Sequence, residues 1–204
     1  MSDIKAVVFD MGGVLVKFKH YDKFLDFMKA AKDDVEKREK FMAFEKGTVS
    51  AESLLSVLDE VFKPEVELDD LENAVFSRFM GERDEHIYSA IENLKKNGIK
   101  VGLLTNNGYW TDLKQRSTIL DGCYELFDEV VESCRVNCRK PEKEIYQIML
   151  NKLQLQPHEC VFIDDLEHNV KAAEALGFTG ITLTDQDGKA VVDKLEKIIN
   201  LKLY

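Results

Sequence analysis

Three acidic residues stand where apolar runs stop: Asp10 after AVVF, and Asp164-Asp165 after CVFI. A third run, VGLL, gives way to Thr105-Asn106-Asn107-Gly108, and Lys140-Pro141 precedes a helical pattern. Each piece alone has a plain reading. Thr-Asn-Asn-Gly is a common turn, and an acid after a strand is a common helix cap. Together they describe a chemistry. Three carboxylates gathered at one buried edge repel, unless a divalent cation or a proton resolves the conflict. Hard oxygen ligands with open positions suit Mg²⁺, which keeps several waters and often shares a substrate phosphate. The Thr105 hydroxyl, the Asn106 and Asn107 amides and the Lys140 ammonium supply what phosphate oxygens require.

These residues meet only if the elements that carry them lie side by side. Short apolar runs suited to buried parallel strands occur at Ile4–Phe9, Lys100–Leu104, Glu129–Val131, Cys160–Ile163 and Gly180–Leu183. Helical patterns separate the later ones. Glu85–Asn97 ends at Gly98, Glu142–Leu153 follows Pro141, and Glu167–Leu176 ends at Gly177. This alternation predicts an α/β fold with a doubly wound parallel sheet, whose ligands bind beyond the carboxyl ends of the strands. Residues 1–16 and 85–204 are expected to form that core. The long connection between them, 17–84, shows no convincing strand. It offers helices near Tyr21–Ala31, Asp34–Glu45, Ala51–Phe62 and Asp69–Phe79, with Ser50 to Ser53 as a helix start and Lys63-Pro64 as a stop. An all-helical cap inserted after the first strand is the expectation.

The 204 residues carry 28 basic and 38 acidic side chains, a formal charge of −10, which argues against nucleic acid or anionic membrane as a partner. There is no 18-residue apolar run, and the start of the chain resembles no signal peptide, so a cytoplasmic protein without membrane insertion is expected. Cys123, Cys134, Cys138 and Cys160 have no framework spacing and are expected as reduced thiols rather than metal ligands. Oligomeric state leaves no signature.

In order and spacing, Asp10, Thr105, Lys140 and Asp164-Asp165 resemble the four motifs of the haloacid dehalogenase superfamily. The stretches FDMGGVLV, FEKGTVSAESL, LLTNNGYW, VVESCRVNCRKPEKEIYQIML and VFIDDLEHNVKAAEALGFTGITLTD further resemble the amino-terminal phosphatase domain of soluble epoxide hydrolases and their relatives. The resemblance spans essentially the whole chain. It implies a Rossmann-like core with a helical cap and a Mg²⁺-dependent phosphomonoesterase acting on a small phosphorylated metabolite. Asp10 is then the nucleophile that forms an aspartyl-phosphate. Asp10, the Gly12 carbonyl, Asp164 and Asp165 hold the metal, while Thr105, Asn106, Asn107 and Lys140 bind the phosphoryl group. Asn169, one turn into the following helix, is expected either to orient the Asp164-Asp165 pair or to lie on the helix surface. Asn137 stands where the family usually has glycine.

One departure bears on turnover. Phosphatases of the family usually carry a second aspartate two residues after the nucleophile, as general acid and base, and here that residue is Gly12. Losing such a group costs on the order of 10²- to 10⁴-fold, so the expected activity is weakened, most of all on poor leaving groups. Replacing Gly12 by Asp is expected to speed alkyl phosphates more than aryl ones. His20 is the better and His86 the poorer substitute acid, and Trp110 is expected as a core or pocket-floor residue. The alternatives are a catalytically silent relative that binds a phosphorylated ligand or partner, and a 2-haloacid dehalogenase, against which the paired Asp164-Asp165 argues.

Overall fold

Successive residues of a strand face opposite ways, so a run that is apolar throughout must be covered on both sides. The computed structural model, which describes residues 3–19, 34–54 and 80–203, shows this arrangement. Strand β1 (Ala6–Phe9) is followed by β2 (Val16–Phe18), helix α1 (Val35–Glu45) and β3 (Met80–Arg83). Then come α2 (Glu85–Lys96), β4 (Lys100–Thr105), α3 (Cys123–Leu126), β5 (Glu129–Glu132) and α4 (Ser133–Val136). The chain closes with α5 (Lys143–Leu153), β6 (Cys160–Asp164), α6 (Glu167–Ala175), β7 (Thr179–Thr182) and α7 (Gly188–Ile199).

Five strands form one parallel sheet in the order β5-β4-β1-β6-β7. Val7 and Phe9 of β1, with Val161 and Ile163 of β6, join Ile87, Ile91 and Leu94 of α2 and Val192 and Leu195 of α7 in one core. The alternate residues Ala6, Val8, Cys160 and Phe162 face the other way, into Ile145, Tyr146 and Met149 of α5. Burying each large apolar side chain in these layers contributes about 1.5–3 kcal/mol. The strand order reverses beside β1, which places a crevice between the ends of β1 and β6, where ligands enter doubly wound sheets.

The anticipated core helices and strands are present with ends shifted by one or two residues, and Gly98 (φ 75°) and Gly177 (φ 101°) take the left-handed conformation expected after a helix. Helix α1 starts at Asp34, whose side chain accepts from the Lys37 N–H, and the Ser53 N–H is received by Ser50 Oγ. Two features differ from the sequence reading. The span 17–84 is not strand-free: β2 and β3 pair antiparallel, at the two ends of the inserted segment. Both are too short to show a period-2 pattern, and Gly81 is placed so that a Cβ would lie 2.8 Å from the Lys17 carbonyl oxygen. Helix α7 was also unanticipated, although Asp187 caps it and Val191, Leu195 and Ile199 recur on one face. The expected helices Tyr21–Ala31 and Asp69–Phe79, most of Ala51–Phe62, and His20 lie outside the described residues. Among the described residues, no helix is long and apolar enough to cross a membrane.

Candidate active site

Register brings the first and fourth sheet acids together. Phe9 pairs with Ile163, and the Asp10 N–H donates to the Ile163 carbonyl at 2.9 Å, so Asp10 and Asp164 occupy the next rung. By alternation both follow Val8 and Phe162 onto the α5 side of the sheet. Lys140 enters there from the loop between α4 and α5. Only 1% exposed, it places Nζ 2.7 Å from Asp10 Oδ1 and 2.7 Å from Asp164 Oδ2, and 5.6 Å from the centre of the Phe162 ring. Burial disfavours its charge, but the two carboxylates outweigh burial and hold the ammonium pKa above its ordinary value.

The three carboxylates are not equivalent. Asp164 is saturated: Oδ1 accepts from the Leu166 N–H at 2.8 Å and from Asn169 Nδ2 at 3.0 Å, while Oδ2 accepts from Lys140. Asp10 receives both the Met11 N–H (2.7 Å) and Lys140 on Oδ1. Asp165 Oδ2 is buried and has no hydrogen-bond partner among the described residues. Burial raises the Asp10 carboxyl to about 7, with Lys140 opposing and Asp164 adding. Burial and the neighbouring Asp10 and Asp164 raise Asp165 to about 8. One oxygen from each of the three lies within 4.8 Å of the others. A buried, unpartnered carboxylate oxygen beside two more acids fits a hard divalent cation.

The glycines after Asp10 have separate reasons. Gly13 sits at φ 73°, and a Cβ there would fall 2.6 Å from Asp165 Oδ2. At Gly12 the same construction meets the tip of the Phe18 ring, Cζ at 3.1 Å.

Thr105 is buried at the end of β4, and the turn after it is held from behind. The Asn106 carboxamide grips the Lys140 backbone, accepting from its N–H at 2.8 Å and donating to its carbonyl at 3.0 Å. Asn107 donates to Glu132 Oε2 at 2.6 Å and accepts from Cys134 Sγ at 3.3 Å, while its N–H donates to Ser133 Oγ at 2.9 Å. The side chains of both amides are thus committed inside the protein, where they brace the turn. Glu132, which sequence reasoning missed, centres this brace. It also accepts from Tyr124 and Arg135. It leaves the end of β5 just as Asp10 leaves β1, and the same strand-end reasoning would have flagged it.

A second missed group lies on the inserted segment. Glu45, at the end of α1, is buried and paired with Arg139, and Lys46 reaches Glu142 at 2.7 Å, so two ion pairs flank Lys140-Pro141. Burial raises the Glu45 carboxyl, against the pull of Arg139, Lys140 and the Asn106 amide. Asn169 is 1% exposed and its Nδ2 donates to both carboxylate oxygens of Asp164. Asn137 adopts φ 54°, a left-handed position that glycine or asparagine tolerates. Trp110 is buried, His86 is exposed in the first turn of α2, and all four cysteines are buried free thiols.

A parallel α/β sheet with strand-end acids, a buried lysine and an inserted segment braced against them defines a class of hydrolase. A family model described as haloacid dehalogenase-like hydrolase matches residues 4–177, and the chain belongs to that family. It is 34% identical over 134 residues to bifunctional epoxide hydrolase 2 of Sus scrofa, covering 63% of this chain and 24% of the pig protein. The chain thus spans about a quarter of that relative's length. It is 30% identical over 189 residues to the sesquiterpene phosphatase astK of Aspergillus oryzae, covering 90% of this chain and 92% of that one. Among solved structures, a family enzyme from Bacteroides thetaiotaomicron in complex with magnesium and inorganic phosphate superposes with a TM-score of 0.63 at 23% identity, covering 88% and 93% of the two chains.

Proposed function

We propose that this hydrolase is a Mg²⁺-dependent phosphomonoesterase acting on a small organic phosphate through an aspartyl-phosphate at Asp10. The observation that carries the reading is the partnerless, buried Asp165 Oδ2 beside Asp10 and Asp164, with Lys140 bridging the latter two. Asp10, the Gly12 carbonyl and Asp165 would hold the ion, which when bound polarises the phosphoryl group and offsets its charge. Asp164, saturated by Lys140, Asn169 and Leu166, acts from one layer back. Asp10 Oδ2, free of the contacts that occupy Oδ1, attacks phosphorus in line. Lys140 and Thr105 hold the phosphoryl oxygens as charge develops. The inserted residues 17–84 serve as a cap over residues 1–16 and 85–204, a reading supported by the α1 ion pairs beside Lys140. Four free buried thiols support a cytoplasmic setting.

Release of inorganic phosphate from p-nitrophenyl phosphate is expected with MgCl₂. It should cease in EDTA, and Asp10→Asn should lower it by on the order of 10³-fold or more. Absence of release from any of a broad phosphate panel, with the protein folded, overturns the reading. Gly12 favours a second one, a silent relative that binds a phosphorylated ligand. That reading predicts phosphate binding without turnover. Dehalogenation is disfavoured by Asp165, since a metal-free site gains nothing from a second buried acid.

A further inference from the structure

Among the described residues, the ionisable groups that pair around Asp10 are committed. Lys140 is spent on Asp10 and Asp164, Glu45 on Arg139, and Asp165 has the place of a metal ligand. The remaining wall beside the nucleophile is Gly12, and what fills the room of its missing side chain is hydrocarbon. The Phe18 ring approaches end-on, with Cζ 3.1 Å, Cε1 3.7 Å and Cε2 4.0 Å from where a Cβ would stand. This placement is built. The Gln186 side chain grips the Phe18 backbone on both sides, its Oε1 accepting the Phe18 N–H at 2.5 Å and its Nε2 donating to the Phe18 carbonyl at 3.4 Å. Gln186 reaches it from a turn in which Asp185 and Gln186 are consecutive left-handed residues, φ 55° and 53°, a costly conformation for side chains other than glycine. The pairing of β2 with β3 shifts register between Val16 and Phe18, so the strand is bent where the ring turns toward Gly12.

We infer that Phe18 is a specificity-determining residue, which closes the leaving-group side of the site with an aromatic wall and restricts substrates to phosphoryl groups borne on weakly basic oxygens, such as those of phenols, enols and carboxylic acids. The inference rests on the phosphomonoesterase reading and names its substrate class. In the first step an Asp10 oxygen forms a bond to phosphorus while the bond to the leaving oxygen breaks. That oxygen departs with the electron pair as an anion, since Gly12 offers no side chain to give it a proton. In the second step water attacks the aspartyl-phosphate, the bond between Asp10 and phosphorus breaks, and both protons of the water leave on the phosphate as H₂PO₄⁻. Only a leaving group stable as an anion completes the first step at a useful rate.

The test compares wild type, Gly12→Asp and Gly12→Asp/Phe18→Ala on p-nitrophenyl phosphate, acetyl phosphate and glycerol 3-phosphate. Wild-type kcat/KM should be at least about 100-fold higher on the first two than on glycerol 3-phosphate. Gly12→Asp alone should improve glycerol 3-phosphate by less than about threefold, because Phe18 occupies the space, while the double variant should gain at least about tenfold. If Phe18→Ala does not fold, Phe18→Val opens the same room with a side chain suited to a strand, and the comparison stands. A single Gly12→Asp gain equal to that of the double variant, or wild-type rates within about threefold across the panel, overturns the inference and leaves the phosphatase reading intact. No phosphate release from p-nitrophenyl or acetyl phosphate by folded wild type overturns both.

Discussion

Gly13 shows how one missing methyl group can matter to a metal site. Its backbone is left-handed and its hydrogen-only side faces the Asp165 carboxylate. Gly13→Ala adds the left-handed penalty of about 1–2 kcal/mol and pushes that carboxylate from its place. A 10- to 100-fold loss of Mg²⁺ affinity, the range seen for disturbed ligand surroundings, is expected in a titration calorimeter, roughly, with Gly98→Ala as the control that pays the backbone penalty alone. Unchanged Mg²⁺ affinity in Gly13→Ala would mean that Asp165 does not hold the ion. The meeting of Asp10 with Asp164 was legible because both acids end apolar runs that read as buried parallel strands. The roles of Asn106 and Asn107 were not legible. A carboxamide suits a phosphate oxygen and a backbone peptide equally, and only the position of Lys140 and Glu132 decides between them.

At the scale of elements, α1 matters more than its weak apolar pattern suggests. Its last residue, Glu45, and the Lys46 that follows it pair with Arg139 and Glu142 on either side of Lys140-Pro141. Arg139→Ala leaves Glu45 buried without its partner, at a cost of about 3 kcal/mol, and should lower Tm by roughly 10 °C in a chain of this length. Calorimetry checks this. A shift within about 2 °C would mean that the pair does not brace the segment. Strands β1, β4, β5, β6 and β7 were readable because residues covered on both faces must be apolar in sequence. The ribbon β2–β3 was hidden, since three or four residues of mixed polarity carry no period. Helix α7 was there to be read in Val191, Leu195 and Ile199, which pack toward α2 in one core.

For the whole molecule, the clustered acids couple folding to pH and to cations. Asp10 and Asp165 titrate near 7 and 8 in the folded state, against 3.8 in an unfolded chain. Between these values the folded protein holds protons that the unfolded chain has lost. Their contribution therefore falls as pH rises through that window and levels off above the folded values. A cation that takes the place of those protons should raise Tm more at about pH 8 than at about pH 5.5. A gain from MgCl₂ that is the same at both would show that the ion binds elsewhere. Lys140 sets the starting point for all of this. Wedged between Asp10 and Asp164, its ammonium is a counter-ion written into the polypeptide. The sheet can therefore bring these two acids together with a counter-ion that the chain itself supplies.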